Sequence, residues 1–191
     1  MERFSDTFLK DKNIGVAPLI SGLYEYGEFV RCDFSGVDLR GFSFTECEFI
    51  GCDLSNANIH GVSFRDVNFK ECKMLGLDFE HCDAFGLGFA FEDGNLSYAN
   101  FSGCKMKKMK FIRCKMNQCD FSRADLSESQ FDVCDLGDAT FFQSNLESAD
   151  FSTSFNFIID PTQNRVRKMK IAAANLPGLV NCFGLEIVDR G

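Results

Sequence analysis

From Phe34 onward a large apolar residue stands at every fifth place. That period fits neither a helix, at about 3.6, nor a strand, at about 2. One series runs Phe34, Leu39, Phe44, Phe49, Leu54, Ile59, Phe64, Phe69, Met74, Phe79, Ala84 and Phe89. A second, two residues out of step, runs Phe91, Leu96, Phe101, Met106, Phe111, Met116, Phe121, Leu126, Phe131, Leu136, Phe141, Leu146 and Phe151. Two places before this central residue stands a small or apolar one, such as Cys32, Val37, Ala57 or Ala99. One place before it, Asp or Asn is favoured, as at Asp33, Asn58 and Asp120.

Two inward residues at alternate places demand a short extended stretch, and the remaining residues must turn a corner. Four such sides close a coil of about 20 residues, and stacked coils pair backbone to backbone at about 4.8 Å. The sequence tests this itself. Steps of one coil read Cys32, Cys52, Cys72, Gly94, Cys114, Cys134, once a two-residue insertion near 88–91 is allowed. The period therefore predicts an all-β, right-handed, quadrilateral β-helix over 29–155. It would have about six and a half turns and stand about 30 Å tall.

The flanks are expected to cover the open ends of the coil. Residues 1–28 lack a firm register and read as an N-terminal cap. Residues 156–191 read as a C-terminal capping and dimerisation module. In it Asp160-Pro161 signals a turn, 173–183 a short helix started or broken at Pro177 and stopped by Gly184, and 185–188 a terminal strand. Leu179, Val180, Phe183, Leu185 and Ile187 exceed what a cap needs and point to a homodimer through the C-terminus.

The repeat also accounts for the composition. Most of the 23 Phe fill central places, and there is no Trp. Nine of the ten Cys occupy the small inward place, where they pack as free thiols. Met1–Gly15 has no signal-peptide hydrophobic region, so these thiols point to a reducing, cytoplasmic setting. No apolar run approaches the length of a membrane span.

No Ser/His/Asp set, phosphate loop or paired-carboxylate cleft emerges, and a filled rod leaves no substrate cavity, so no enzyme and no cofactor are expected. No metal-ligand spacing emerges either: CxxC is absent, and both histidines, His60 and His81, fall at outward places. What remains is charge. The chain carries a net -8. A DNA duplex about 30 Å long would carry about 18 negative charges, so any imitation of it needs the acids gathered on one side. Asp38, Asp78 and Asp120 stack on one side with Asn58 and Asn100 between them, and Glu80 lies outward beside them. A neighbouring side offers Asp33, Asp53 and Asp135, interrupted by Lys73 and Lys115. A basic island, Lys105, Lys107, Lys108, Lys110, Arg113 and Lys115, breaks the acidic pattern.

The (Ala/Cys/Val)-(Asp/Asn)-(Leu/Phe)-x-x repeat resembles the pentapeptide-repeat family. The stretches IDPTQNRVRKMKI and LPGLVNCFGLEI, with DFSGVDLRG and NLSYANFSG, are similar to its topoisomerase-protecting branch. That branch includes Qnr-type and mycobacterial-type fluoroquinolone-resistance proteins and the albicidin and microcin self-immunity proteins. The resemblance implies a dimeric rod that imitates duplex DNA, binds DNA gyrase or topoisomerase IV as a protein partner, and relieves poisoning. It implies contact with neither nucleic acid nor membrane. The long insertions common in Qnr-type members are missing. An interaction scaffold or regulator is the alternative.

Overall fold

In a computed structural model, which describes residues 2–83, 87–186 and 188, the chain winds into a coil with four walls. Two walls are parallel sheets. One has four strands: Glu2–Ser5, Gly22–Glu25, Ser43–Thr45 and Ser63–Arg65. The other has nine: Phe8–Lys10, Glu28–Val30, Glu48–Ile50, Val67–Lys70, Phe89–Glu92, Lys110–Ile112, Gln130–Asp132, Asp150–Phe151 and Lys170–Ile171. The other two walls are held by single bridges. Asp33, Asp53, Lys73, Asn95, Lys115 and Asp135 pair in succession on one, and Asp78, Asn100, Asp120 and Thr140 on the other.

The stacking is in register. Phe29 pairs with Phe49 and Phe49 with Phe69; Phe111 pairs with Phe91 and with Phe131. Their rings form a column with centroids 4.7 Å apart from Phe29 to Phe49, 5.1 Å to Phe69 and 5.4 Å to Phe91. A second column, Phe79–Phe101–Phe121–Phe141, meets the first edge-on. Each buried ring contributes roughly 1.5–3 kcal/mol by leaving water, and ring pairs add about 0.5–1.5 kcal/mol.

The small inward place has a specific task. Each corner turns a carbonyl inward, and a buried carbonyl without a partner costs about 1–3 kcal/mol. The thiols of Cys52, Cys72 and Cys134 donate to the carbonyls of Phe29, Phe49 and Phe111 at 3.1, 3.3 and 3.3 Å. Ser129, Ser144 and Ser154 do the same with hydroxyls, at 2.7–2.9 Å. Cys and Ser suit this place because they are small and carry a donor.

The Asp/Asn place is also structural first. The side-chain oxygens of Asp33, Asp53, Asn100, Asp120 and Asp150 accept from the backbone N–H two residues on, which fixes the turn. Beyond it the corner requires left-handed backbone. Gly36 supplies it freely at φ 64°, while Arg113 accepts φ 51°.

Three boundaries differ from the sequence expectation. The two extra residues fall slightly earlier than 88–91. The Asp83 N–H still meets the Val62 carbonyl in step, but the Gly88 N–H meets that of Phe64. Phe89 therefore pairs with Val67 and fills the small inward place, not a central one. The coil also starts earlier and ends later than 29–155. Glu2–Ser5 and Phe8–Lys10 already pair with the following turn, and Lys170–Ile171 pairs with Asp150–Phe151. Nine stacked strands give about eight turns. Finally, Leu185, Glu186 and Val188 form no strand. Two 3-10 turns, Ala173–Asn175 and Asn181–Phe183, flank the helix Pro177–Val180, and Gly184 stops it at φ 62°. Among the described residues no helix is long and apolar enough to cross a membrane.

Candidate interaction surface

The interior is filled, so the surface is what the rod can offer. Phe29, Phe34, Leu39, Phe44 and their successors are fully buried. An open groove of about 600 Å³ lies between the last turns and the C-terminal helix, lined by Asn156, Phe157, Ile158, Pro177, Gly178 and Leu185 among others.

The wall of Asp38, Asp78 and Asp120 carries no lysine. Arg40 grips Asp38, its Nη2 donating to Oδ2 at 2.6 Å, and this hydrogen bond holds the Asp38 carboxyl below its ordinary range. Asp78 and Glu80 are joined by Asn100, whose Nδ2 donates to both. Asp120 accepts from the Ser122 N–H. The structure thus brings Asp38, Asp78, Glu80 and Asp120 onto one wall, as the 20-residue step required.

The neighbouring wall holds Asp33, Asp53 and Asp135 in one column, with Lys73 and Lys115 inside it. Here charges pair from coil to coil. Lys73 Nζ lies 3.0 Å from Asp53. Asp135 accepts from Asn156 at 2.8 Å. The basic island is likewise bridged: Lys107 and Lys108 reach Glu128 at 2.9 and 3.5 Å, and Arg113 reaches Glu92 and Asp93, each at 2.6 Å. The six bases of 105–115 are thus spread over three walls, and Lys107, Lys108 and Arg113 face acids one coil away. A linear reading misses this, because the partners stand about 20 residues apart.

At the C-terminal end Leu176, Phe183, Leu185 and Val188 are half or more exposed. Leu179 packs partly against the core, and Val180 is half-buried. Ile187 lies outside the described residues. Leu176 was not among the residues expected here; its place just before Pro177 could have marked it.

Two family descriptions match the sequence: a pentapeptide repeat region over residues 42–118, and pentapeptide repeats in eight copies over residues 110–141. The chain belongs to the pentapeptide-repeat family. No curated protein sequence matches this pentapeptide-repeat protein. Among solved structures it is similar to two trypsin-treated variants of QnrB1, a plasmid-mediated fluoroquinolone resistance protein. One is 20% identical at a TM-score of 0.64, covering 98% of this chain and 100% of that one. The other is 22% identical at 0.64, covering 96% and 99%. HetL, a pentapeptide-repeat protein involved in heterocyst differentiation regulation from the cyanobacterium Nostoc, is 12% identical at 0.44, covering 89% and 85%. The QnrB1 likeness supports the β-helix fold along nearly the whole pentapeptide-repeat chain.

Proposed function

We propose that this pentapeptide-repeat protein acts by binding and not by catalysis. Its acidic wall enters the DNA-binding surface of a type II topoisomerase, DNA gyrase or topoisomerase IV. It thereby protects that enzyme from poisons such as fluoroquinolones or peptide toxins. The observation that carries this reading is the lysine-free column of Asp38, Asp78, Glu80 and Asp120, with a carboxylate at every second coil and Asn58 and Asn100 between, along one side of a rigid rod. A regular row of carboxylates complements a surface built to hold phosphates, and it speeds encounter with one. QnrB1, whose fold this chain shares, is a fluoroquinolone resistance protein. The exposed Leu176, Phe183 and Leu185, with Leu179 and Val180, would join two copies at their C-terminal ends and lengthen the acidic wall. The action is proposed to be cytoplasmic, where such enzymes work.

One observation favours the scaffold reading instead. Acids are paired with bases across the rod, as Asp53 with Lys73 and Asp150 with Lys170, and on the acidic wall itself Arg40 pairs with Asp38 and Arg123 lies near Glu80, which weakens the overall field. Supercoiling by purified gyrase, with and without a fluoroquinolone, separates the two. The proposal expects the added protein to inhibit supercoiling or to restore it in the presence of drug. Asp78→Lys should raise the effective concentration about tenfold while the coil stays folded, its thermal midpoint lowered only modestly by loss of the Glu80 cap. A protein that neither inhibits nor rescues supercoiling leaves only the scaffold reading.

A further inference from the structure

On the acidic wall the histidines and carboxylates converge at one spot. His60 and His81 are the only histidines in the chain. They stand one coil apart with their rings stacked, centroids 5.4 Å apart and planes 15° from parallel. The turn after Phe79 creates this meeting. At the equivalent corners one coil away on either side, Gly61 and Gly103 take left-handed φ of 73° and 69°. Phe79–His81 instead forms a 3-10 turn, with the Glu80 N–H capped by Asp78. His81 Nδ1 consequently comes to 2.7 Å from Asp78 Oδ2.

One nitrogen of His81 and one oxygen each of Asp78 and Glu80 lie within 4.8 Å of one another. Asn100 Nδ2 donates to Asp78 Oδ1 at 2.9 Å and to Glu80 Oε2 at 3.0 Å, holding the two carboxylates side by side. Arg123 Nη2 stands a loose 3.9 Å from Glu80 Oε1.

We propose that Asp78, Glu80 and His81, with His60 as the fourth donor, bind a divalent first-row transition ion, with zinc as the best fit. Mixed imidazole and carboxylate donors suit such an ion, whereas magnesium and calcium take oxygen donors. Four donors match the tetrahedral demand of zinc. Zinc bonds of about 2.0–2.2 Å put ligand atoms about 3.4 Å apart, and exposed side chains reach that by rotation about their own bonds. The Asn100 amide is the outer-layer support that orients carboxylate ligands in metal sites. The two neighbouring carboxylates supply the negative field that draws a dication. This inference stands apart from the topoisomerase reading and requires only the coil.

The test uses the full chain with Cys182→Ser, which removes the one exposed thiol. Zinc chloride titrated into this protein in a calorimeter should bind saturably, one ion per chain. Cobalt(II) as a spectroscopic probe should show ligand-field bands without thiolate charge transfer. His81→Ala, His60→Ala and Glu80→Gln should each weaken zinc binding about tenfold or more, and Asn100→Ala about tenfold. The metal-free His81→Ala, His60→Ala and Glu80→Gln variants should keep the parent's thermal midpoint, and Asn100→Ala should lower it modestly, because it also loses the turn bond from the Ser102 N–H. Absence of saturable binding overturns the site, as does a thiolate band, or zinc affinity unchanged in both His81→Ala and Glu80→Gln.

Discussion

Replacing Phe111 by alanine is expected to destabilise the rod by about 3–5 kcal/mol. Phe111 is fully buried. Its ring stacks on Phe91 at 5.5 Å and on Phe131 at 4.7 Å, and it meets Phe101 and Phe121 edge-on at 6.3 and 6.4 Å. The neighbours above and below cannot fall into the hole, because their own backbones are locked in register with the coils on either side. In a stacked architecture each coil touches only its neighbours, so a void at mid-height also weakens the coupling between the two halves. Guanidinium unfolding followed by circular dichroism measures the loss. Phe111→Leu keeps an apolar residue of a type found at the same place in Leu96 and Leu126, and should cost about 1.5 kcal/mol or less. Equal midpoints for wild type and Phe111→Ala would mean that the ring column does not carry the stability.

Gly178→Val is expected to release the C-terminal segment from the coil. A Cβ at this position would lie 2.3 Å from the carbonyl oxygen of Phe157, far inside contact distance and against backbone that cannot rotate away. The carbonyl of Gly178 accepts from the Ile159 N–H at 2.9 Å, so the clash falls on the strap that ties the helix to the last turn. Phe157 and Ile159, both buried, would be uncovered in part, and each is worth roughly 1.5–3 kcal/mol when fully buried. Limited proteolysis should then cut within 173–183 and leave a resistant coil ending near Ile171. Sedimentation should show whatever dimer forms through Leu176, Phe183 and Leu185 falling apart. A variant as protease-resistant as wild type would show that the helix is not held through Gly178.

The period of five made the walls, the columns and the cysteine row legible, because two inward side chains per side leave a strong mark on the sequence. The ends were harder to read for a physical reason. Phe4, Leu9, Ile14, Leu19 and Tyr24 do continue the central series. Their companion places hold Glu2, Thr7 and Lys12 where small residues belong, and Arg3, Phe8 and Pro18 where Asp or Asn belongs. An outermost coil has no neighbour on one side, so its inward places need not be small and its turns carry fewer constraints. At the other end Ile171 still pairs under Phe151, while Pro161 and the buried Phe157 and Ile159 blur the register between them.

Of the surface, the alignment of Asp38, Asp78 and Asp120 was legible, since it follows from coil length alone. Two features were not. The pairing of Lys107 and Lys108 with Glu128 arises only when coils stack. The contact of His81 with Asp78 and His60 depends on a 3-10 turn at a corner where the repeat elsewhere takes a left-handed residue.

Counting reactive thiols in the native protein tests the stacked, filled rod most directly. Nine of the ten cysteines are buried, and only Cys182 is exposed. Burial pushes the thiols of Cys104 and Cys119 each up to about 12, which suppresses the thiolate that must attack a disulfide reagent. At pH 8 the folded chain should react with a chromogenic disulfide at no more than one thiol, that of Cys182, and in guanidinium at all ten. Rapid reaction of Cys32, Cys52 and Cys72 in the native state would mean that these side chains do not lie in a closed column.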